Sequence, residues 1–271
     1  MRLLCTAAGA VLERSPGTYE TVEGSLLAAL TAGAFPAGEQ VEVDSATVRR
    51  PLDPPEVWCS GVTYERSRDA RMEESTVADV YALVYDAERP ELFLKDAACR
   101  RTVGPGEPIG IRADSAWNVP EPEIGLVLGE RGAILGYTIG NDVSSRDIEG
   151  ANPLYLAQAK VYAGACAIGP SVYVPSPGNR PVFTIALRVV DAEGTAVHEG
   201  TTSTDRMVRT FAELASWLAR DNPVPPGSIL LTGTGLVPPD DFTLEVGQTV
   251  EITVPEIGTL SNPVVSASTL V

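Results

Sequence analysis

The chain has 271 residues, of which 44% are hydrophobic and 21% are charged, an ordinary balance for a globular protein with a large core. Its formal net charge of −16 argues against nucleic acid or an anionic membrane surface as a partner. No segment approaches the length of a transmembrane helix and no signal-peptide core follows Met1, so we expect a cytoplasmic protein. The four cysteines are widely spaced, without a C-x-x-C motif, which favours reduced thiols with no chemical role.

The N-terminal residues predict a small α/β unit. The stretch "MRLLCTAAGAVLER" is typical of a strand and a turn, and "TVEGSLLAALTAG" predicts a short helix closed by Gly33. The Pro-rich stretch "RRPLDPPEVW" then indicates a boundary. We therefore expect a small N-terminal domain, residues 1–54, followed by a larger domain, residues 55–271.

The larger domain is predicted to be rich in strands. A helical stripe of Val77, Val80, Tyr81 and Val84 comes first and is interpreted as core. Three later stretches predict strands: "GAILGYTIGND", "PVFTIALRVVDAEG" and "QTVEITVPEIGTL". The apolar residues alternate in the second of them, at Phe183, Ile185, Leu187 and Val189. One amphipathic helix, with Met207, Phe211, Leu214 and Leu218 on one face, interrupts the strands, so the fold class is α+β.

Histidine and lysine are scarce. The one histidine, His198 in "DAEGTAVHEG", is predicted to lie in a hairpin turn, which excludes a His-rich zinc site and disfavours Ser-His-Asp catalysis. Lys95 and Lys160 are the two lysines among twenty basic residues. An ammonium is compact and titratable whereas a guanidinium is neither, so these positions are candidates for chemistry. A plain surface charge remains the alternative for Lys95.

Two carboxylates precede an apolar run in "EPEIGLVLG". Because side chains alternate along a strand, Glu121 and Glu123 share one face while Ile124, Leu126 and Leu128 fill the other. Like charges this close are costly unless they are solvated or bridged by a cation. The pair therefore indicates either a solvated strand end or half of a divalent-metal site.

A third carboxylate, Asp142, ends a strand predicted to run from about Ile134 into the polar turn of "GYTIGNDVSSRDIEG". Together with Glu121 and Glu123 it would supply three oxygen ligands. Such a set suits Mg²⁺, with Mn²⁺ or Ca²⁺ possible, rather than zinc.

The order and spacing of "EPEIGLVLG", "GYTIGNDVSSRD", "AKVYAGACAIGP" and "LLTGTG" resemble the fumarylacetoacetate hydrolase superfamily from about Val57 to the C-terminus. The resemblance implies a mixed β-sandwich roll and Mg²⁺ held by the three carboxylates. It further implies a small-molecule 2-oxo acid as the partner, chelated through its carboxylate and keto oxygens, and a homo-oligomer. Around the substrate it places these residues: Lys160, Lys95, Thr234 and Arg146.

One motif departs from the hydrolase pattern. The hydrolases usually carry G-x-N-Y-x-x-H-x-x-E, whose His and Glu activate water for carbon–carbon cleavage. Here the stretch reads "GVTYERSRDA", with Ser67 at the position of the His and Ala70 at that of the Glu. Hydrolysis is therefore disfavoured.

Five further stretches resemble the branch of the superfamily that dehydrates 2-keto-3-deoxy sugar acids such as 2-keto-3-deoxy-D-arabinonate: "PEVWCSGVTYERSRDAR", "RPELFLK", "DSAWNVPEPE", "GANPLYLAQAK" and "RDNPVPPGSILLTGT". This likeness implies an Mg²⁺-dependent hydro-lyase that forms 2-oxoglutarate semialdehyde through a metal-stabilised enolate. Lys160 and Glu149 are the candidates for proton transfer, with their roles as acid or base open. Tyr64 and Arg68 are candidates for binding substrate hydroxyls, although Arg68 can also be a surface ion pair and Glu149 an exposed turn residue.

Two kinds of alternative remain open. One is another 2-oxo-acid enzyme on the same scaffold, such as an acylpyruvate hydrolase or an oxaloacetate decarboxylase. The other is a catalytically silent, ligand-binding relative. The complete acidic set and the two lysines argue against the silent relative.

Overall fold

The structure is a computed structural model that describes residues 1–74 and 83–271. Five α-helices lie wholly within this part of the chain: α1 (Leu26–Ala32), α2 (Glu65–Glu74), α3 (Arg146–Ala151), α4 (Leu156–Lys160) and α5 (Phe211–Ala219). The first ten strands are β1 (Arg2–Thr6), β2 (Gly9–Ser15), β3 (Thr18–Thr21), β4 (Gln40–Val41), β5 (Val48–Arg49), β6 (Glu56–Cys59), β7 (Phe93–Ala97), β8 (Thr102–Val103), β9 (Ile109–Ile111) and β10 (Asn118–Val119). The others are β11 (Pro122–Leu128), β12 (Ile134–Asp142), β13 (Ser144–Ser145), β14 (Cys166–Tyr173), β15 (Thr184–Val190), β16 (Ala196–Ser203), β17 (Ile229–Leu231), β18 (Thr249–Val254) and β19 (Gly258–Ser266).

The strands form one large mixed sheet, a second sheet and a short ladder. The large sheet has the order β4-β3-β2-β1-β14-β12-β11-β17-β6-β7, with β5 beside β1 and β8 beside β14. The second sheet has the order β16-β15-β18-β19-β9, and β10 pairs with β13 alone. The protein is thus an α+β fold of mixed sheets with a few helices.

The centre of the large sheet is covered on both faces. On one face Ile124, Leu126 and Leu128 of β11 belong to a core that also contains Ile185 and Leu187 of the second sheet. On the other face Val127 of the same strand belongs to a second core with residues of the N-terminal strands and of α1. All seven residues of β11 are consequently buried.

Several sequence-based predictions are confirmed. The predicted N-terminal strand and turn are present as β1 and the turn that joins it to β2, and the two strands pair from Arg2–Glu13 to Thr6–Gly9. The helix α1 ends at Gly33, whose φ of 61° lies in the left-handed region that glycine adopts at low cost. The four alternating apolar residues, one directly before β15 and three within it, are at most 2% exposed: Phe183, Ile185, Leu187 and Val189.

Two predictions about local structure are wrong. His198 does not lie in the hairpin turn but in β16, opposite Val189, and its ring lies 4.8 Å from that of Phe242. Met207 is not part of the amphipathic helix, because Thr210 caps the helix by accepting a hydrogen bond from the Glu213 amide. Hydrophobic periodicity located the helix but not its start, and the predicted turn was too long because the chain enters β16 at Ala196.

The predicted helical stripe of Val77, Val80 and Tyr81 lies outside the described residues. The domain boundary at residues 54 and 55 remains a prediction, and the strands before it extend the same large sheet through the pairing of β1 with β14. In the described part of the chain, no helix combines the length and apolar character needed to cross a membrane.

Candidate metal and substrate site

The three predicted acidic ligands meet at the end of two neighbouring antiparallel strands. Glu123 in β11 pairs with Gly140 in β12, and the Asp142 amide donates to the Glu121 carbonyl at 3.0 Å. The Asn141 side chain accepts a hydrogen bond from the Glu121 amide at 3.1 Å. This register places the end of β12 beside the start of β11, so Asp142 shares one site with residues about 20 positions earlier in the chain.

The acidic site is defined by Glu121, Glu123 and Asp142. One carboxylate oxygen from each residue lies within 4.8 Å of the other two, and the side chains are 3%, 1% and 1% exposed. The alternative of a solvated strand end is therefore wrong. The three carboxylates are almost fully shielded from solvent at the junction of β11 and β12.

Three buried cations surround the acidic site. The Lys160 ammonium donates to Glu121 at 2.7 Å, to Asp142 at 2.9 Å and to Ser144 Oγ at 2.6 Å. The Lys95 ammonium contacts Asp142 Oδ1 and donates to the Val143 carbonyl at 3.0 Å. Arg146 Nη2 lies 2.9 Å from Glu121 Oε1. These charges offset the three carboxylates, which would otherwise be costly to bury.

Lys95 is not a surface charge. It lies in β7 at the edge of the large sheet, yet its side chain is 0% exposed. The edge strand turns this lysine inward, toward the end of β12. Both lysines of the chain therefore reach one site, as the resemblance implies.

Glu123 differs from the other two acids in its partners. Its Oε2 accepts a hydrogen bond from the Gly233 amide at 2.6 Å. Burial, reinforced by Asp142 and Glu121, raises the pKa of Glu123 well above its usual range, although Lys160 and the Gly233 amide oppose the rise. A bound cation would remove this cost of ionisation.

Gly233 is required by its position in the loop after β17. Its φ is 86°, and a Cβ atom there would lie 2.1 Å from Thr63 Oγ1. Glycine alone lets the backbone approach closely enough for its amide to reach Glu123. The sequence motif "LLTGTG" contains this residue, but the donor role of its amide was not predicted.

The other predicted site residues are placed as follows. Glu149 is 3% exposed in α3, so the exposed-turn alternative is wrong. The Thr234 hydroxyl donates to the Leu236 carbonyl at 3.2 Å and accepts from the Leu236 amide at 3.1 Å.

Tyr64 is 2% exposed, and its hydroxyl has no hydrogen-bond partner within the described residues. Arg68 is paired with Asp69 at 2.7 Å and packs over the Tyr85 ring.

Ser144 is a site residue that sequence reasoning missed. Its hydroxyl donates to the Asp142 carbonyl at 2.8 Å and accepts the third hydrogen bond of Lys160. The signal was present in "NDVSSRD", where Ser144 lies two residues after Asp142 and therefore on the same side of an extended chain.

The donor set fits a hard divalent cation. Three carboxylates converge without sulfur or imidazole, which is the ligand chemistry of Mg²⁺, Mn²⁺ or Ca²⁺. Fold and site together define a β-rich protein with a buried acidic metal centre bordered by lysines. A family profile, described as the fumarylacetoacetate (FAA) hydrolase C-terminal domain, matches residues 56–265, and the chain belongs to this family.

Several named proteins are similar to this chain over most of its length. A "Probable 2-keto-3-deoxyxylonate dehydratase" of Haloferax volcanii is 51% identical over 226 residues, 82% of this chain and 78% of the relative. A "2-dehydro-3-deoxy-D-arabinonate dehydratase" of Saccharolobus solfataricus is 46% identical over 228 residues, 82% and 76% of the two chains. A solved 2-keto-3-deoxy-D-arabinonate dehydratase, complexed with magnesium and 2,5-dioxopentanoate, superimposes with a TM-score of 0.85 at 38% identity, covering 98% of each chain.

Proposed function

We propose that the protein is an Mg²⁺-dependent dehydratase of a 2-keto-3-deoxy sugar acid of the D-arabinonate type, with 2-oxoglutarate semialdehyde (2,5-dioxopentanoate) as its product. The observation that carries this proposal is the buried acidic site with two lysines on it, in a chain that lacks the His-x-x-Glu pair of the hydrolases. The named relatives support the same reaction and substrate class.

Glu121, Glu123 and Asp142 would hold Mg²⁺, whose chemistry is Lewis-acid polarisation of a 2-oxo acid and acidification of its C3 protons. The protein supplies the proton transfers. One group removes a C3 proton and another protonates the departing C4 hydroxyl, so that one water leaves. A further proton shift from C5 to C3 converts the unsaturated acid into the 5-enol, and transfer of the enol hydroxyl proton to C4 then gives the 5-aldehyde.

Lys160 and Glu149 are the proposed groups for these transfers. Lys160 lies directly on the acidic site, bonded to Glu121 and Asp142. Glu149 is buried in α3, the helix that begins with Arg146. Two groups of opposite type on one site can divide the acid and base duties.

Tyr64 is proposed to bind a substrate hydroxyl. Burial, reinforced by Glu123 and Asp205, raises the pKa of Tyr64, so the phenol stays protonated and remains a donor. An unpaired buried hydroxyl is costly, and a substrate oxygen would satisfy it. Thr234 is proposed to bind the substrate carboxylate, with Arg146 and Lys95 as the adjacent positive charges. Arg68 can bind a substrate hydroxyl only if its guanidinium moves away from Asp69, with which it is paired.

The proposal is tested by incubating the purified protein and Mg²⁺ with a panel of 2-keto-3-deoxy acids and following semialdehyde formation with a coupled dehydrogenase. EDTA should abolish turnover, and Mg²⁺ or Mn²⁺ should restore it. Release of pyruvate, or of a carboxylic acid from an acylpyruvate, in place of the semialdehyde would reject the dehydratase in favour of another 2-oxo-acid enzyme.

The metal ligands are tested separately by calorimetry. Glu123→Gln removes one charge at nearly constant volume, so it should weaken Mg²⁺ binding while the fold is kept. Glu251→Gln on β18, whose partner is the exposed Arg188, is the matched control and should bind Mg²⁺ normally. Wild-type affinity in Glu121→Gln, Glu123→Gln and Asp142→Asn would show that the ligand assignment is wrong.

The proposal also includes a cytosolic location and a homo-oligomeric state. Four free cysteines support a reducing compartment. Light scattering during gel filtration would test the oligomer, and a mass of 28.6 kDa would contradict it.

A further inference from the structure

The Asp147 carboxylate, in the first turn of α3, accepts four hydrogen bonds. Oδ1 accepts from Ser115 Oγ at 2.6 Å, from Ser145 Oγ at 2.9 Å and from the Ile148 amide at 2.9 Å. Oδ2 accepts from the Ala116 amide at 2.8 Å. One carboxylate thus joins two chain segments that lie 30 residues apart.

Both of these segments lead directly into the acidic site. The first runs through β10 to Glu121, and the second runs from Asp142 through β13 into α3. Asn118 pairs with Ser145 in the short ladder, and the Arg146 amide donates to the Trp117 carbonyl at 2.7 Å. These contacts join the two segments where they cross at Asp147, and they set the position of α3 relative to Glu121.

The helix α3 cannot set its own position. It has six residues, too few for a stable isolated helix, and the side chain of Ser145 at its N-cap makes no capping hydrogen bond. Asp147 supplies a substitute by accepting from the Ile148 amide, while its other bonds attach the first turn to residues 115–116. Burial raises the pKa of Asp147, but the bonds from Ser115, Ala116, Ser145 and Ile148 outweigh it and lower the pKa overall.

We propose that Asp147 is a positioning residue of the dehydratase: its carboxylate locks the first turn of α3 to residues 115–116 and so holds Arg146 in place at the acidic site. Arg146 carries the effect to the site, since its guanidinium contacts Glu121. The kinetic part of this inference rests on the proposed function, whereas its structural part does not.

The central test is Asp147→Asn. An amide keeps one acceptor oxygen, so it cannot serve both the Oδ1 and the Oδ2 partners. The matched control is Asp191→Asn in the β15–β16 turn, where the Glu193 and Thr195 amides both bond to Oδ1 and one oxygen is enough. We expect Asp147→Asn to lower kcat roughly tenfold to a hundredfold, as small displacements at an active site do, and Asp191→Asn to leave it unchanged.

A double-mutant cycle separates positioning from a general loss of stability. If Asp147 acts through Arg146, Asp147→Asn should cost little further activity in an Arg146→Ala background. Losses that multiply, or wild-type kcat in Asp147→Asn, would overturn the proposal. Ser115→Ala, which removes one of the four bonds, is the second variant and should show a smaller loss of kcat with the same coupling to Arg146.

Two measurements do not depend on turnover. Amide hydrogen exchange should accelerate at Ile148 in Asp147→Asn but not in Asp191→Asn, and oxalate should bind the Mg²⁺-loaded Asp147→Asn protein more weakly than the wild type. Unchanged exchange and unchanged oxalate affinity would overturn the inference. If the wild type dehydrates none of the sugar acids, the proposed function fails, and these two measurements still decide the role of Asp147.

Discussion

The surroundings of Lys160 restrict the size and shape of the cationic group at this position, as well as its charge. Its side chain is 2% exposed, and its three N–H bonds point to Glu121, Asp142 and Ser144. A guanidinium is larger and donates in a fixed planar fork, which does not match these three directions. This geometry explains why a lysine lies here, although the chain uses arginine at nearly all of its other basic positions.

The first prediction follows from this geometry. Lys160→Arg should lose nearly as much kcat as Lys160→Ala, about 10²–10⁴-fold for a group that transfers a proton. Both variants are measured at saturating Mg²⁺. Near-wild-type turnover by Lys160→Arg would show a structural cation and leave Glu149 as the stronger candidate.

The second prediction concerns the thiols. Burial raises the pKa of Cys99 to about 11 and that of Cys166 to about 12. A raised pKa means less thiolate at a given pH, and the thiolate is the reactive form. Alkylation of Cys99 by iodoacetamide should therefore be slow at pH 7.5 and rise about tenfold per pH unit up to pH 9.5, without the plateau of a thiol near 8.5.

The Cys99 measurement is made by mass spectrometry of the labelled peptide, with Cys99→Ser as the control for labelling at Cys5. A plateau below pH 9 would contradict the raised pKa. The buried Cys59 and Cys166 should be labelled only on unfolding.

At the scale of the element, β11 carries the largest difference between expectation and structure. Its alternation predicts one apolar face and one face with carboxylates, and the apolar face does pack in the main core. The other face is equally buried, because the N-terminal strands and α1 cover it around Val127. A central strand that is covered on both faces has no solvated side for its acidic side chains.

The third prediction tests that second face. Val127→Ala should lower the free energy of unfolding by about 2 kcal/mol, since a fully buried valine loses transfer energy and leaves a cavity. Val197→Ala in the edge strand β16, where the side chain is 46% exposed, should change it by less than about 0.5 kcal/mol. Chemical denaturation measures both, and equal effects would contradict the burial of this face.

At the scale of the whole molecule, the acidic site links metal binding to stability. The three proposed ligands lie at the start of β11 and the end of β12 in the middle of the large sheet, so an ion bound there would stabilise the folded state alone. The fourth prediction is that Mg²⁺ at 100 times its Kd adds about 2.7 kcal/mol to the free energy of unfolding.

This stabilisation is measured by thermal denaturation across a series of Mg²⁺ concentrations. The triple variant Glu121→Gln, Glu123→Gln, Asp142→Asn should show no shift of Tm, whereas Glu251→Gln should retain the wild-type shift. A shift that persists in the triple variant would place the stabilising ion elsewhere.

Much of the architecture could be predicted from the sequence because its determinants are local. The turn at Gly33 and the alternation from Phe183 to Val189 depend on residues close in the chain. The three carboxylates of the acidic site were predicted to lie together in the same way, from two strand ends and a matching family pattern, and the structure brings them together. Element ends such as those near Met207 and His198 were misplaced, because caps and pairing partners decide them.

The sequence by itself determined the chemistry of this protein: oxygen ligands, two lysines in place of arginines, and the missing water-activating pair. Tertiary structure alone decided how those groups are arranged, through the register of β11 with β12, the inward turn of Lys95 and the crossing at Asp147. The physical reason is that residue type and local spacing can be read directly from the sequence, whereas burial and hydrogen-bond partners depend on segments that are distant in sequence. Those segments meet only when the sheets have formed.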